Sequence, residues 1–164
     1  MITYSRKMRE YVKENELELE QGKDRIFFKL GDNAYKVETN RGVNKSEYNV
    51  YKRNREKYGV MLMKIIDHNK NFKIMQVEEL TSLWEYVENK TGVYDEDIEC
   101  MNLWEVLDKY EVLRKCKKFS DKIYKNFLME NNLIGSEIEC SFNWGITKDE
   151  KLVCLDFADV EVAY

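Results

Sequence analysis

Hydrophobic periodicity changes once along this chain, and that single change limits the fold more than any other feature. Up to Val77 the apolar residues sit in short runs that alternate with polar ones, and beyond Leu80 they recur at three- and four-residue spacing. A chain ordered this way folds as α+β, with strands gathered into an antiparallel sheet first and helices afterwards. The run 25–30 places Ile26, Phe28 and Leu30 on one face, Gly31-Asp32-Asn33 is a turn cluster, and 34–37 returns, which predicts a hairpin. Leu17 and Leu19 alternate with glutamates on the way to Gly22 and supply a further strand. Runs 60–66 and 72–77 supply two more, and 46–58 reads as a helix before them. The expectation is a five-stranded sheet carrying one helix, preceded by a short helix over 1–14 marked by Tyr4, Met8, Tyr11 and Val12.

In the second part Leu80, Leu83, Trp84 and Val87 mark one helical face, with Ser82 and Glu85 as a capping box and Gly92 as its end. Ile98, Met101, Trp104, Leu107 and Tyr110 mark another helix, restarted at Asn102 with Glu105 as box partner. A third covers 120–132, and Trp84 and Trp104 read as core anchors. Beyond Gly135 the helical pattern stops, and 144–147 with 152–157 predict a closing hairpin. The division expected is therefore 1–14, 15–78 and 79–164.

Charge and composition exclude several classes of function. Lysine and arginine number 27 against 31 acids, a net charge of −4, so nothing draws a phosphate backbone from a distance and no nucleic-acid partner is expected. Apolar runs fall far short of the roughly 20 residues that span a bilayer, so no membrane segment is expected. The first residues lack the apolar core of a signal peptide, which places the chain in a cytoplasm. Four cysteines without a CxxC pair, beside the lone His68, argue for buried thiols and against a zinc site.

Two constellations could carry chemistry. If Asp149-Glu150 forms a two-residue turn, paired positions sum to 299 and Asn143 faces Asp156. Their Cα atoms would then lie about 4.5–5.5 Å apart with side chains on one side, an amide oxygen and a carboxylate able to hold Mg²⁺ or simply to hydrogen-bond each other. Earlier, Ala34 and Lys36 share a face of their strand, with Glu47 near the start of the next helix. Read alone, Lys36 is a half-exposed lysine whose pairing contributes about 0–1 kcal/mol. If instead it is buried, it needs a carboxylate, and Glu47 is the nearest candidate.

Taken in order, these pieces resemble the protein-kinase-like fold, particularly the small divergent kinase-like proteins of phages and prophages of low-GC bacteria. The run 24–30, then Ala34-Tyr35-Lys36-Val37, then 44–51 is similar to that family's second strand, its A-x-K strand and its glutamate-bearing helix. Ile74-Met75-Gln76-Val77 resembles the linker that meets adenine. Asn143 and the Asp156-Phe157-Ala158 segment resemble the catalytic-loop asparagine and the DFG segment, thirteen positions apart. The resemblance implies a minimal two-lobed fold: an antiparallel N-lobe sheet with one helix, then a truncated, mostly helical C-lobe ending in a β-hairpin. It also implies that Gly22, Ala34, Lys36, Glu47 and Val77 form the ATP site, with Lys36 neutralising phosphates and Glu47 orienting it, and that Asn143 and Asp156 hold Mg²⁺.

Departures from the pattern shape the functional expectation. The Gly-rich loop is reduced to Gly22, and the position five before Asn143, where the family has its aspartate, is Ile138. Glu137 and Glu139 flank it as the remaining candidates for a catalytic carboxylate. The sequence stops eight residues past Asp156, which leaves no room for the family's substrate-binding helices. The expectation is a pseudokinase, a phage or prophage accessory factor that binds a host protein with at most weak ATP and Mg²⁺ binding. The alternatives are an active ATP-dependent phosphotransferase and a structural α+β domain without nucleotide.

Overall fold

The computed structural model describes residues 19–21, 25–30, 33–39, 42–134 and 137–157. Within them the chain divides into two units, 19–49 with 64–79 and 50–63 with 80–157. The helix expected over 1–14 and Gly22 lie outside the described residues.

The first unit is a five-stranded antiparallel sheet of β1 (Leu19–Gln21), β2 (Arg25–Leu30), β3 (Asn33–Glu38), β4 (Ile65–His68) and β5 (Ile74–Val77), in the order β1-β2-β3-β5-β4. Register follows the hydrophobic alternation. Ile26 pairs with Val37, Phe28 with Tyr35, and Val37 with Ile74, and on that face Phe28, Val37 and Ile74 form a buried cluster against which Ile26 and Tyr35 pack. The opposite face carries Ala34 opposite Val77 and Lys36 between Phe27 and Met75.

Helix α1 (Val43–Tyr58) begins three residues before the expected start at Ser46. Its first amides are capped from outside the local sequence: the buried Glu38 carboxylate, at the end of β3, accepts from the Gly42 and Asn44 N–H groups at 3.0 and 3.2 Å. A carboxylate there satisfies orphan donors and opposes the positive end of the helix dipole. Gly42, at φ 96°, supplies the left-handed residue that the entry requires. The buried Asn44 amide then donates to the carbonyls of Lys36, Phe72 and Lys73, tying the first turn to β3 and to the β4–β5 connection.

The expected strand 60–66 is corrected. Gly59–Met61 is a 3₁₀ turn, Met61, Leu62 and Met63 are buried, and only 65–68 pairs in the sheet. A continuous apolar run carries no alternation, so periodicity could not tell a buried turn from a strand. These residues belong to the second unit, where Leu62 bridges Cys154 and the Met63 N–H donates to the Cys154 carbonyl at 2.9 Å.

The second unit contains helices α2 (Leu83–Thr91), α3 (Leu103–Lys109), α4 (Glu111–Cys116) and α5 (Asp121–Glu130). Helices α2 and α3 are capped at the residues the sequence announced. Ser82 Oγ accepts from Glu85 N–H at 3.4 Å, Asn102 and Glu105 form a reciprocal box, and Gly92 closes α2 at φ 73°. The restart expected at Asn102 is present: Glu96–Cys100 before it is a 3₁₀ turn, and α3 begins afresh at the Asn102 cap. Trp84 and Trp104 are only half-buried; the buried anchor is Trp144, 1% exposed, stacked on Phe119. Cys116 and Cys154 are buried thiols, whereas Cys100 is exposed. No helix among the described residues is long and apolar enough to cross a membrane.

A three-stranded sheet, β6 (Thr81–Ser82), β7 (Trp144–Ile146) and β8 (Leu152–Cys154), completes this unit in the order β6-β7-β8. The closing hairpin exists, but in another register. Trp144 pairs with Cys154 and Ile146 with Leu152, and the Thr147 N–H reaches the Lys151 carbonyl, so the loop is the three residues 148–150 with Glu150 left-handed at φ 57°. Three-residue loops of this kind compete with two-residue turns, and the Asp149-Glu150 dipeptide lacks the glycine that a two-residue turn prefers.

Gly145 in β7 sits against Leu80. A Cβ built on it would lie 2.9 Å from Leu80 Cβ and 3.2 Å from the Thr81 carbonyl oxygen. Gly145→Ala is therefore expected to lower stability by about 1–3 kcal/mol in urea denaturation, through overpacking beside Asn143.

Candidate functional site

The first unit builds a buried charge cluster on the α1 side of its sheet. With Asn44 anchored to β3, Glu47 lies one turn further on the same side of α1. Lys36 Nζ donates to both Glu47 oxygens at 2.9 Å, and Arg25, the first residue of β2, donates to Glu47 Oε2. Side-chain exposure is 3% for Lys36, 0% for Glu47 and 10% for Arg25. The half-exposed reading of Lys36 is thereby corrected. Strand alternation assigned its face, but only the packing of α1 over that face removes the ammonium from water.

Ala34 and Val77, both assigned to nucleotide contact by the sequence, are brought together as a direct cross-strand pair beside Lys36. Each is 0% exposed, so a ring stacking on them requires their present cover to part.

The second unit contains the other four assigned residues. Asn143 ends a 3₁₀ turn, Ser141–Asn143, and is 7% exposed. Its Nδ2 donates to the Glu137 carbonyl at 2.7 Å, and its own carbonyl accepts from Leu155 N–H at 2.8 Å. Asn143 thus stands opposite Leu155, not Asp156, and the register argument for a facing Asn143–Asp156 pair fails by one residue. A cation would have to be reached by two side chains that the register does not set opposite each other. The amide nitrogen is committed to Glu137, which leaves Oδ1 as the side chain's acceptor, and half-buried Asp156 follows Leu155 directly. Among the described residues no three His, Cys, Asp or Glu side chains cluster as a metal cage. A Mg²⁺ ion held here would take an amide and a carboxylate oxygen from the chain and the rest from water and phosphate.

Glu137–Glu139 is a 3₁₀ turn with exposed acids flanking Ile138, which is 3% exposed. With three residues per turn the two carboxylates diverge. Glu139 goes toward Tyr124, whose hydroxyl donates to it at 3.5 Å. Burial first, and the Glu139 charge second, push the Tyr124 phenol well above its ordinary range. Glu137 is the one whose backbone Asn143 holds.

Three residues of the cluster escaped the sequence reading: Arg25, Glu38 and Asn44. The last two carried a weak signal, an acid two positions after Lys36 on the same strand face and an asparagine at a helix start. Arg25 carried none, because its role exists only across strands.

No family model matches the chain, and no curated protein matches it. Among solved structures, it is similar to the APH(2'')-IIa ternary complex with streptomycin and ATP, with TM-score 0.39 and 11% identity over 93% of this chain and 70% of that one. It is also similar to WbdD in complex with the kinase inhibitor LY294002, with TM-score 0.37 and 14% identity over 84% of this chain and 31% of that one. Likenesses of this size carry no function across.

Two cations on one carboxylate make the cluster's energetics non-additive. Lys36→Met and Arg25→Met each remove one cation from Glu47 and are expected to cost about 1–3 kcal/mol. The double variant removes both cations from a buried carboxylate and is expected to lose more than the sum, with a coupling of about 1–3 kcal/mol in a urea-denaturation cycle.

Proposed function

We propose that this chain is a degenerate kinase-like protein that binds Mg-ATP weakly and acts mainly by binding another protein. One observation carries the reading: a buried lysine on the third strand, held by both oxygens of a glutamate on the next helix, within the strand, A-x-K strand and glutamate-helix order of that fold. In this reading Lys36 neutralises ATP phosphates and Glu47 orients it, while Asn143 and Asp156 hold Mg²⁺. Bound Mg²⁺ would neutralise phosphate charge. The protein's own contribution is positioning and electrostatics, since phosphoryl transfer asks for little covalent work.

Two features support weak binding and slow or absent transfer. Ala34, Val77 and Lys36 are covered, so a nucleotide must displace what lies over them. Ile138, buried and without a proton acceptor, stands where the resemblance requires an aspartate. Loss of a general base costs roughly 10²–10⁴ in rate. Binding to a host protein as a phage or prophage accessory factor follows from the resemblance.

A second reading, an active phosphotransferase, is favoured by the Asn143–Glu137 hydrogen bond. That bond is to the Glu137 backbone carbonyl, and in this reading the Glu137 side chain, rather than that of Glu139 turned to Tyr124, takes the place of the missing aspartate.

Titration calorimetry with Mg-ATP tests both. The leading reading expects saturable heat in the wild type that is lost in Lys36→Met and loses its Mg²⁺ dependence in Asp156→Ala. An absence of heat in the wild type removes it and leaves a structural α+β domain. Incubation with γ-labelled ATP separates the second reading. Transfer that falls at least about a hundredfold in Glu137→Gln establishes it, and transfer unchanged in that variant excludes Glu137.

A further inference from the structure

The second unit holds a cavity of about 290 Å³ lined by Trp104 of α3, by Asp121, Tyr124, Lys125 and Leu128 of α5, and by Glu139 of the 3₁₀ turn that follows. That volume lies at the lower edge of the roughly 300–1,000 Å³ of small-molecule sites, so it takes one side chain rather than a cofactor. Its wall is aromatic and apolar. Trp104 meets the buried Tyr124 ring edge to face with centroids 5.0 Å apart, and Leu128 is buried. Asp121, Lys125 and Glu139 are exposed and supply its charges.

Those charges are not equally committed. Lys117 Nζ donates to Asp121 Oδ1 at 2.7 Å, and this ammonium, followed by the weaker field of Lys125, holds the Asp121 carboxyl below its ordinary range. The same ammonium lies 5.4 Å from the centre of the Trp104 ring, so the chain itself already seats a cation between this indole and a carboxylate. Glu139 has no such cation among the described residues, and its partner there is the Tyr124 hydroxyl at 3.5 Å. A phenol donates a hydrogen bond but does not balance the charge.

An apolar, aromatic wall that ends in one unbalanced carboxylate fits a group with an apolar stem and a cationic tip. Arginine meets that description better than lysine. Its guanidinium is planar, stacks on an aromatic face and forks onto a carboxylate, whereas an ammonium is a strongly hydrated point charge.

We propose that this cavity is a docking pocket for an arginine side chain of a partner protein, with Trp104 as its stacking wall and Glu139 as its counter-ion. The inference gives the partner of the protein-binding reading a chemistry, and rests on that reading only for the occupant being a protein.

The isotopically labelled full chain is titrated with Nα-acetyl-arginine amide, with the neutral isostere Nα-acetyl-citrulline amide and with agmatine, and the Trp104 indole N–H and Glu139 amide resonances are followed. The arginine amide is expected to shift both saturably, with a dissociation constant on the order of 1 mM, as one side chain without its peptide allows. Glu139→Gln is expected to weaken it at least about fivefold, and Trp104→Leu, read at the Glu139 amide, about threefold. Citrulline binding as tightly as arginine overturns the proposal, because the charge is then not recognised. Unchanged affinity in Glu139→Gln overturns it too, even if that variant melts earlier, since a purely structural glutamate moves the melting temperature and not the affinity. Agmatine binding more tightly than the blocked arginine replaces the protein by a small amine. If Glu139→Gln does not fold, Trp104→Leu is decisive by the same criteria. Calorimetry with Mg-ATP on the same sample separates the two readings: arginine binding without nucleotide heat ends the nucleotide reading and keeps the pocket, and nucleotide heat without arginine binding ends the pocket alone.

Discussion

A carboxylate with no exposure to water is the constraint around which the first unit is arranged. A buried carboxylate needs partners, because desolvation of a single charge costs several kcal/mol. Lys36 and Arg25 meet this need from two neighbouring strands, which fixes the distance and rotation of α1 over the sheet. The helix start is fixed independently by Glu38 and Asn44, so the position of Glu47 is determined from both the helix end and the side chain. Removal of either support loosens the same geometry, and that coupling makes the cluster a candidate for binding as well as for stability.

The second unit uses a different device, in which side chains satisfy the carbonyls of short turns. Trp144 Nε1 donates to the Ile138 carbonyl at 2.6 Å, Asn143 to that of Glu137, and Ser141 Oγ to that of Ile98. Buried backbone acceptors in 3₁₀ turns have no helix to pair with, and the polar side chains of Ser141, Asn143 and Trp144 supply the missing donors. The turn that carries Glu137 and the asparagine beside it are thereby held as one piece. Site geometry and turn stability depend on the same hydrogen bonds.

Much of the fold was legible because local signals act alone. Alternation at 25–30, the caps at Ser82 and Asn102, and Gly92 as a terminator each reflect chemistry within a few residues. What failed lacked such a signal. The run 60–63 is apolar throughout and gives no period, the closing hairpin chose a three-residue loop that shifts every pairing by one, and the burial of Trp144 over Trp84 and Trp104 depends on which elements enclose it.

The candidate site divides in the same way. From the sequence alone came the α+β order, the face of β3 on which Lys36 and Ala34 lie, and Glu47 at the start of the next helix as the candidate partner, because a two-residue period and helix spacing are properties of the backbone. Tertiary structure decided that Lys36 is buried, that Arg25 shares its partner, that Glu139 turns away to Tyr124 and that Asn143 faces Leu155. Burial and charge sharing depend on which strands and helices meet, and no local pattern of residue types encodes the meeting of Arg25 and Glu47, twenty-two positions apart in the chain.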